Sequence, residues 1–93
     1  MLIGVCQIEF LIPGSNSLKS KRFVLQSLKT RLRNKFNISV TEIGENEKWQ
    51  RSILGISMIS NETRMIQKAM QKVINFIDDY NEVEIIDHRI EIL

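Results

Sequence analysis

The spacing of the apolar residues alternates between two periods along the chain, and this alternation restricts the fold more than any other feature. Apolar residues favour every second position in four segments, 2–12, 36–41, 52–60 and 83–93, which is typical of strands. In two intervening segments, 18–35 and 61–79, they recur at steps of three and four, as in amphipathic helices. Asn16 or Ser17 is the expected N-cap of the first helix, and Asn61 that of the second. The predicted order is therefore strand–helix–strand–strand–helix–strand.

This order is that of the split βαβ unit. It predicts a ferredoxin-like α/β (α+β) sandwich, in which two helices lie on one face of a four-stranded antiparallel sheet. The even-numbered positions are the more apolar ones in all four strands, so each strand presents one face to the helices. The predicted core contains Cys6, Ile8, Phe10, Leu25, Leu28, Leu32, Val40, Leu54, Ile56, Ile66, Val73, Ile77, Ile86 and Ile90.

Length and composition predict a single domain over residues 1–93. Hydrophobic residues make up 43% of the chain and charged residues 26%, as in ordinary globular proteins. The one cysteine, Cys6, cannot form an internal disulfide and lies in an apolar run, which favours a buried thiol. We see no signal peptide, and the apolar runs are too short to cross a bilayer. A cytoplasmic protein without a membrane partner is expected.

The net charge of +2 hides an uneven distribution of charge. Between Phe10 and Thr41 there are seven basic residues and no acidic one, whereas the rest of the chain holds six basic and eleven acidic residues. Such a concentrated basic segment is typical of a surface that attracts polyanions.

Three motifs resemble a known family. The run SLKSKR after a Pro-Gly turn, the run RNKFNISV and the run KWQRSILG are similar to the YlxP-like bacterial family of unknown function, and the resemblance extends over essentially the whole chain. The resemblance implies a ferredoxin-like fold and no established activity. Genes of this family tend to lie beside those of translation initiation factor two and ribosome-binding factor A, which implies work on RNA or on the ribosome.

Helical spacing predicts a basic surface on both helices. Lys19, Arg22, Gln26, Lys29 and Arg33 follow one another at steps of three and four. The second helix adds Arg64, Lys68 and Lys72 at steps of four, and no acidic residue lies between Thr63 and Ile77. Such a surface can follow a phosphate backbone, and it can equally be an ordinary solvated helix face.

The motif NSLKSKR places three cations in the first turn of a helix, where the dipole is already positive. The topology brings this turn to the same end of the molecule as the 44–51 loop and as Asp78 and Asp79. Two explanations are open. Arg22 pairs with Asp78 or Asp79, or an anion binds at this end. We expect the second, with an anion site formed by Lys19, Lys21, Arg22, Trp49 and Arg51. The stem of Lys21 should be buried while its ammonium group reaches out over the 15–17 turn.

The only tryptophan lies in the motif Trp49-Gln50-Arg51. Trp49 could stack on an unpaired base, with Gln50 and Arg51 making polar contacts. Alternatively it closes the hairpin and covers the end of the sheet, which is the interpretation we favour.

No combination of residues supports catalysis, a metal site or a cofactor, so neither an enzyme nor a bound cofactor is expected. His88 is the only histidine, and its position in the last strand indicates a packed residue at the edge of the core. The open face of the sheet lacks the aromatic residues of an RNA-reading sheet and is half apolar. That face is a second candidate surface, on which a homodimer or another protein partner would bind.

Overall fold

A computed structural model describes all 93 residues, Met1–Leu93. Six elements follow one another: β1 (Leu2–Leu11), α1 (Leu18–Lys35), β2 (Ser39–Gly44), β3 (Arg51–Ser60), α2 (Thr63–Asp78) and β4 (Glu84–Ile92). The four strands form one antiparallel sheet in the order β2-β3-β1-β4. The predicted fold, a ferredoxin-like α+β sandwich, is confirmed. Neither helix is long and apolar enough to cross a membrane.

The prediction that even-numbered residues face the helices holds for the two central strands, β1 and β3. In the β1–β3 pair, Cys6 lies opposite Ile56 and Ile8 opposite Leu54, and all four side chains are buried. Gly4 lies in the same row, and a Cβ atom at this position would overlap the side chain of Ile66. Glycine is therefore required where α2 packs most closely on β1.

Two element boundaries differ from the prediction. Strand β2 begins at Ser39 rather than at Phe36, because the Phe36 N–H still donates to the Leu32 carbonyl at the end of α1. Ser17 is the N-cap of α1, and its side chain accepts from the Ser20 N–H. The N-cap of α2 is Glu62, without a side-chain bond, so the predicted Asn61 cap is wrong.

The predictions for Ile86 and His88 are wrong, since Ile86 is 43% exposed and His88 is also exposed. Glu9 pairs with Asp87, but the next residue of β1, Phe10, pairs with Ile85. Ile86 is thus the extra residue of a bulge, and Ile85 takes the place at the core. His88 keeps the inward parity opposite Ile8, but β4 is an edge strand and leaves it in solvent.

Seventeen buried apolar residues form one core between the helices and the sheet. The predicted core is otherwise confirmed, with Ile90 only partly buried. The α1 residues in the interior are Val24, Leu25, Leu28, Leu32 and one charged residue, Lys21.

Candidate nucleic-acid interface

The two helices carry most of the positive charge of the protein. Of the 13 lysine and arginine residues, seven lie on α1 and three on α2, and Asp78 is the only acidic residue on either helix. The strands and loops hold the other three basic residues and ten acidic ones. Because both helices cover the same face of the sheet, the charge of the protein is divided between a basic helix layer and an acidic remainder. We call the exposed surface of α1 and α2 the basic helix layer.

Lys21 does not belong to that exposed surface. Its side chain is 1% exposed, and its Nζ lies 3.0 Å from Oε2 of Glu42. The same ammonium group donates to the carbonyls of Glu45 and Lys48 at 2.6 Å and of Arg51 at 3.0 Å. The expectation that this ammonium group reaches out over the 15–17 turn, and with it the place of Lys21 at an anion site, is wrong. The Glu42 carboxylate, rather than a bound anion, supplies the negative charge beside Lys21, and the carbonyls of Glu45, Lys48 and Arg51 accept its hydrogen bonds.

The residues around Lys21 explain why the β2–β3 loop takes its shape. Glu42 lies on the inward face of β2 opposite Leu54, and its carboxylate also accepts from the Ser52 hydroxyl at 2.7 Å. Glu45 has a φ of 61°, in the left-handed region that non-glycine residues seldom occupy. The bond from Lys21 to the Glu45 carbonyl holds this conformation in place.

Three of the predicted cations lie along one side of α1, from its first turn to Lys29. Lys19, Arg22 and Lys29 line one open depression together with Phe23 and Gln26, and the acidic residues Glu42 and Glu82 also line it. None of the three cations is in an ion pair, since the only pairs in the protein are Lys21–Glu42 and Arg51–Glu9. Phe23 is 78% exposed in the middle of this cluster.

Arg33 has a structural partner. Its Nη2 donates to the Val40 carbonyl of the edge strand β2 at 2.8 Å. The guanidinium group keeps further N–H donors, so Arg33 extends the basic helix layer toward the β2 edge.

Asp78 and Asp79 do not pair with Arg22, so that explanation of the first turn is wrong. The C-terminal end of α2 lies farther along α1, where the Tyr80 hydroxyl donates to Ser27 Oγ at 3.0 Å. The guanidinium carbon of Arg31 is 5.5 Å from the centre of the Tyr80 ring. Because α2 ends there, Asp79 lies beside Arg31 rather than beside Arg22.

A groove of about 520 Å³ separates the C-terminal half of α1 from α2. Its cations are Arg31, Lys35 and Lys72. Of these three, only Lys72 was predicted as a site residue. Arg31 and Lys35 were not, because they reach the groove only through the offset between the two helices. The predicted Lys68 is exposed one turn before Lys72 and does not line the groove. The sequence does contain a signal for them: Arg31 and Lys35 are four residues apart, so they share one face of the helix, and the aromatic Phe36 follows directly.

Trp49 and Arg51 are not part of the cluster on α1. Trp49 is 56% exposed, so the favoured packing of its ring over the end of the sheet is not observed. It lines a small depression with Leu11, Lys48 and Arg51. Arg51 Nε is 3.7 Å from Oε2 of Glu9, with which it shares the open face of the sheet. The anion site expected from Lys19, Lys21, Arg22, Trp49 and Arg51 is therefore not assembled.

Cys6 is an inert thiol. Burial raises its pKa from 9.0 to about 11, against a smaller opposing effect of a backbone hydrogen bond from Arg89. A thiol that stays protonated and is 1% exposed is a poor nucleophile.

The fold and the charge distribution define the class, a small ferredoxin-like α+β protein with a basic helix layer. Residues 3–90 match the family described as "Protein of unknown function (DUF503)". The chain is also 42% identical to the uncharacterized protein YlxP of Bacillus subtilis (strain 168) over 83 residues. The aligned region covers 89% of this chain and 90% of that protein. The protein belongs to the DUF503 family, and the predicted YlxP-like relationship is confirmed.

Proposed function

We propose that this protein is a non-catalytic binding module that associates with RNA, on the ribosome or elsewhere, through its basic helix layer. The observation that carries the proposal is the division of charge: ten of the 13 basic residues lie on two adjacent helices with a single carboxylate. A polyanion is the partner that such a surface attracts.

The cations of this layer are free to bind a ligand. Of the ten basic residues on the helices, only Lys21 is in an ion pair, and Arg33 alone of the others donates to the protein backbone. Phosphate groups would meet side chains that need not first give up a carboxylate partner. Binding would release counterions and would weaken as the salt concentration rises.

The proposal can be tested with two variants of equal charge. In the first, Arg22→Gln and Lys68→Gln remove one cation from each helix. In the second, Lys48→Gln and Arg89→Gln remove an arginine and a lysine from loops and strands. All four side chains are exposed and outside ion pairs, so both variants should fold like the parent.

The measurement is fluorescence anisotropy of a labelled 16-nucleotide single-stranded RNA at a series of KCl concentrations. The helix variant should bind more weakly and lose about 1.4 from the slope of log K against log salt, since each lost contact to a single strand contributes about 0.7. The control variant should keep the slope of the parent. Equal slopes for the two variants, or no binding by the parent, would contradict the proposal.

The open face of the sheet supports a second candidate function, self-association. Ile3 and Ile59 lie opposite each other on this face and are 37% and 64% exposed, and Ile43 is 48% exposed. Ile3 and Ile59 form an apolar pair at one end of this face, and Ile43 of β2 lies farther along β3, beside Gly55. Exposed apolar side chains of this kind mark protein contacts when they are contiguous with a partner's apolar surface. Sedimentation velocity of the parent and of Ile59→Lys tests this candidate. A parent dimer that Ile59→Lys converts to monomer supports it, and a monomeric parent at high concentration excludes it.

A further inference from the structure

We infer that the groove between α1 and α2 is a subsite for one unpaired nucleotide, whose base stacks on an aromatic wall while its phosphate contacts the surrounding cations. This inference rests on the proposed function and deepens it, because it specifies single-stranded rather than duplex RNA.

The aromatic wall consists of three half-buried rings. Phe36 and Phe76 pack edge to face, with their centres 6.0 Å apart and their planes at 85°. Tyr80 completes the wall and is held by its hydrogen bond to Ser27. Rings in fixed positions that still reach solvent are what stacking on a base requires.

Cations surround this wall. Lys35 Nζ lies 5.2 Å from the centre of the Phe76 ring, and Arg31 lies over Tyr80, so these two side chains cover ring faces and must swing toward the phosphate when a base stacks there. Lys72 contributes the third positive charge from α2, and Asp79 is the only carboxylate that lines the groove. The groove therefore has an excess of two positive charges around an apolar floor, which suits a phosphate attached to a flat, uncharged ring.

The same features disfavour a duplex. Paired bases are stacked on each other and do not expose a free face to an aromatic side chain, whereas unpaired bases can turn outward. A duplex would still contact the outer cations of the basic helix layer, such as Lys19 and Lys68. The groove should consequently set the preference for single strands, while the outer cations contribute to the binding of both.

The test compares the affinities of Tyr80→Leu, Tyr80→Phe and Phe76→Leu for a 16-nucleotide single-stranded RNA and for the duplex of the same sequence. Phe23→Leu is the matched control, since Phe23 is an exposed ring on the same basic helix layer but outside the groove. Tyr80→Leu and Phe76→Leu should weaken single-strand binding about tenfold and leave duplex binding unchanged. Tyr80→Phe keeps the ring but loses the bond to Ser27, so it should weaken single-strand binding less than Tyr80→Leu does, and Phe23→Leu should bind both RNAs like the parent.

A second pair of variants leaves the three aromatic rings unchanged. Lys35→Gln with Lys72→Gln should weaken single-strand binding more than Lys19→Gln with Lys68→Gln, which removes the same charges from the same two helices. Each pair takes one lysine from α1 and one from α2, and all four are exposed.

The possible outcomes separate the two proposals. A parent that binds no RNA contradicts both. A parent that binds RNA through the helix cations, while Tyr80→Leu and Phe76→Leu behave like Phe23→Leu, overturns the nucleotide subsite and leaves the proposed function standing. Displacement of the RNA by an oligo-glutamate peptide at equal concentration also overturns the subsite, because it would show that charge alone is recognised.

Discussion

The ammonium group of Lys21 lies 3.0 Å from the carboxylate of Glu42, and this buried ion pair joins α1 to the edge strand β2. The two residues are 21 positions apart, and Lys21 also binds carbonyls of the loop that follows β2. The first turn of α1 thus tolerates three cations because one of them belongs to the interior. Lys19 and Arg22 remain available at the surface.

The first prediction concerns this ion pair. Lys21→Met keeps the length of the stem but leaves Glu42 and three carbonyls without their donor, so it should lower the free energy of unfolding by about 3–5 kcal/mol. Urea denaturation of the parent and the variant measures the difference. Lys19→Met, at an exposed position of the same turn, is the control and should change stability by less than about 0.5 kcal/mol. Equal stability of the two variants would show that the buried pair is not formed.

The second prediction concerns the phase of α1. Leu28 is fully buried among the core residues, so Leu28→Ala should lower the free energy of unfolding by about 2–5 kcal/mol. Val24 and Leu32 flank it on the same buried face. A change below about 0.5 kcal/mol, the range of a surface substitution, would mean that a different face of the helix meets the sheet.

The third prediction concerns alkaline pH. The folded state raises the pKa of Cys6 to about 11, so the folded protein holds this proton more strongly than the unfolded chain, in which the pKa is about 9. Between these two values the folded state binds more protons, and stability must fall as the pH rises. The contribution of Cys6 that is lost is about 2–3 kcal/mol.

The matched variant for this prediction is Cys6→Ala. It removes the thiol but none of the lysine and tyrosine residues that also titrate at high pH. The difference in unfolding free energy between parent and Cys6→Ala should shrink between pH 9 and pH 11, and the parent thiol should stay unreactive toward a thiol reagent at pH 8 until the protein unfolds. A difference that is constant with pH would contradict the raised pKa.

The fourth prediction concerns the contact between α2 and β1. A methyl group at position 4 would overlap Ile66, so Gly4→Ala forces a shift of the helix or of that side chain. Overpacking of this kind costs about 1–3 kcal/mol. Thermal unfolding should show the loss for Gly4→Ala, and the same substitution should cost less in an Ile66→Ala background, which removes the overlapping Cγ2 atom. A single variant as stable as the parent would show that the two elements are not in close contact.

The architecture could be predicted from local patterns. The order of the elements, and which face of each strand is apolar, both follow from the spacing of apolar residues that are close in the sequence. The bulge in β4 was not predictable in this way, since Ile85 and Ile86 are adjacent and equally apolar, and pairing with β1 decides which one faces the core. The partner of Lys21 was also missed. The sequence did contain a signal for this pair: Glu42 occupies an even-numbered position of β2, which faces the helices, and Lys21 occupies a position of α1 between buried apolar residues.

The groove between the helices depends on tertiary packing rather than on local sequence. Arg31 and Lys35 reach it only because α2 ends beside the middle of α1, as the bond between Tyr80 and Ser27 shows. The offset of two antiparallel helices follows from how their side chains interdigitate, which a periodicity does not reveal. The overall basic character of the helices, in contrast, was predictable because it is a property of composition.

The central claim, that RNA is bound by the helices and not by the sheet, is tested most directly by titrating the 15N-labelled protein with the 16-nucleotide single-stranded RNA and mapping the shifts of its NMR signals. The account predicts that the largest shifts fall on the exposed positions of α1 and α2, with Arg31, Lys35 and Lys72 among them. Shifts concentrated on the open face of β3 and β4, or no shifts at a low salt concentration, would contradict it.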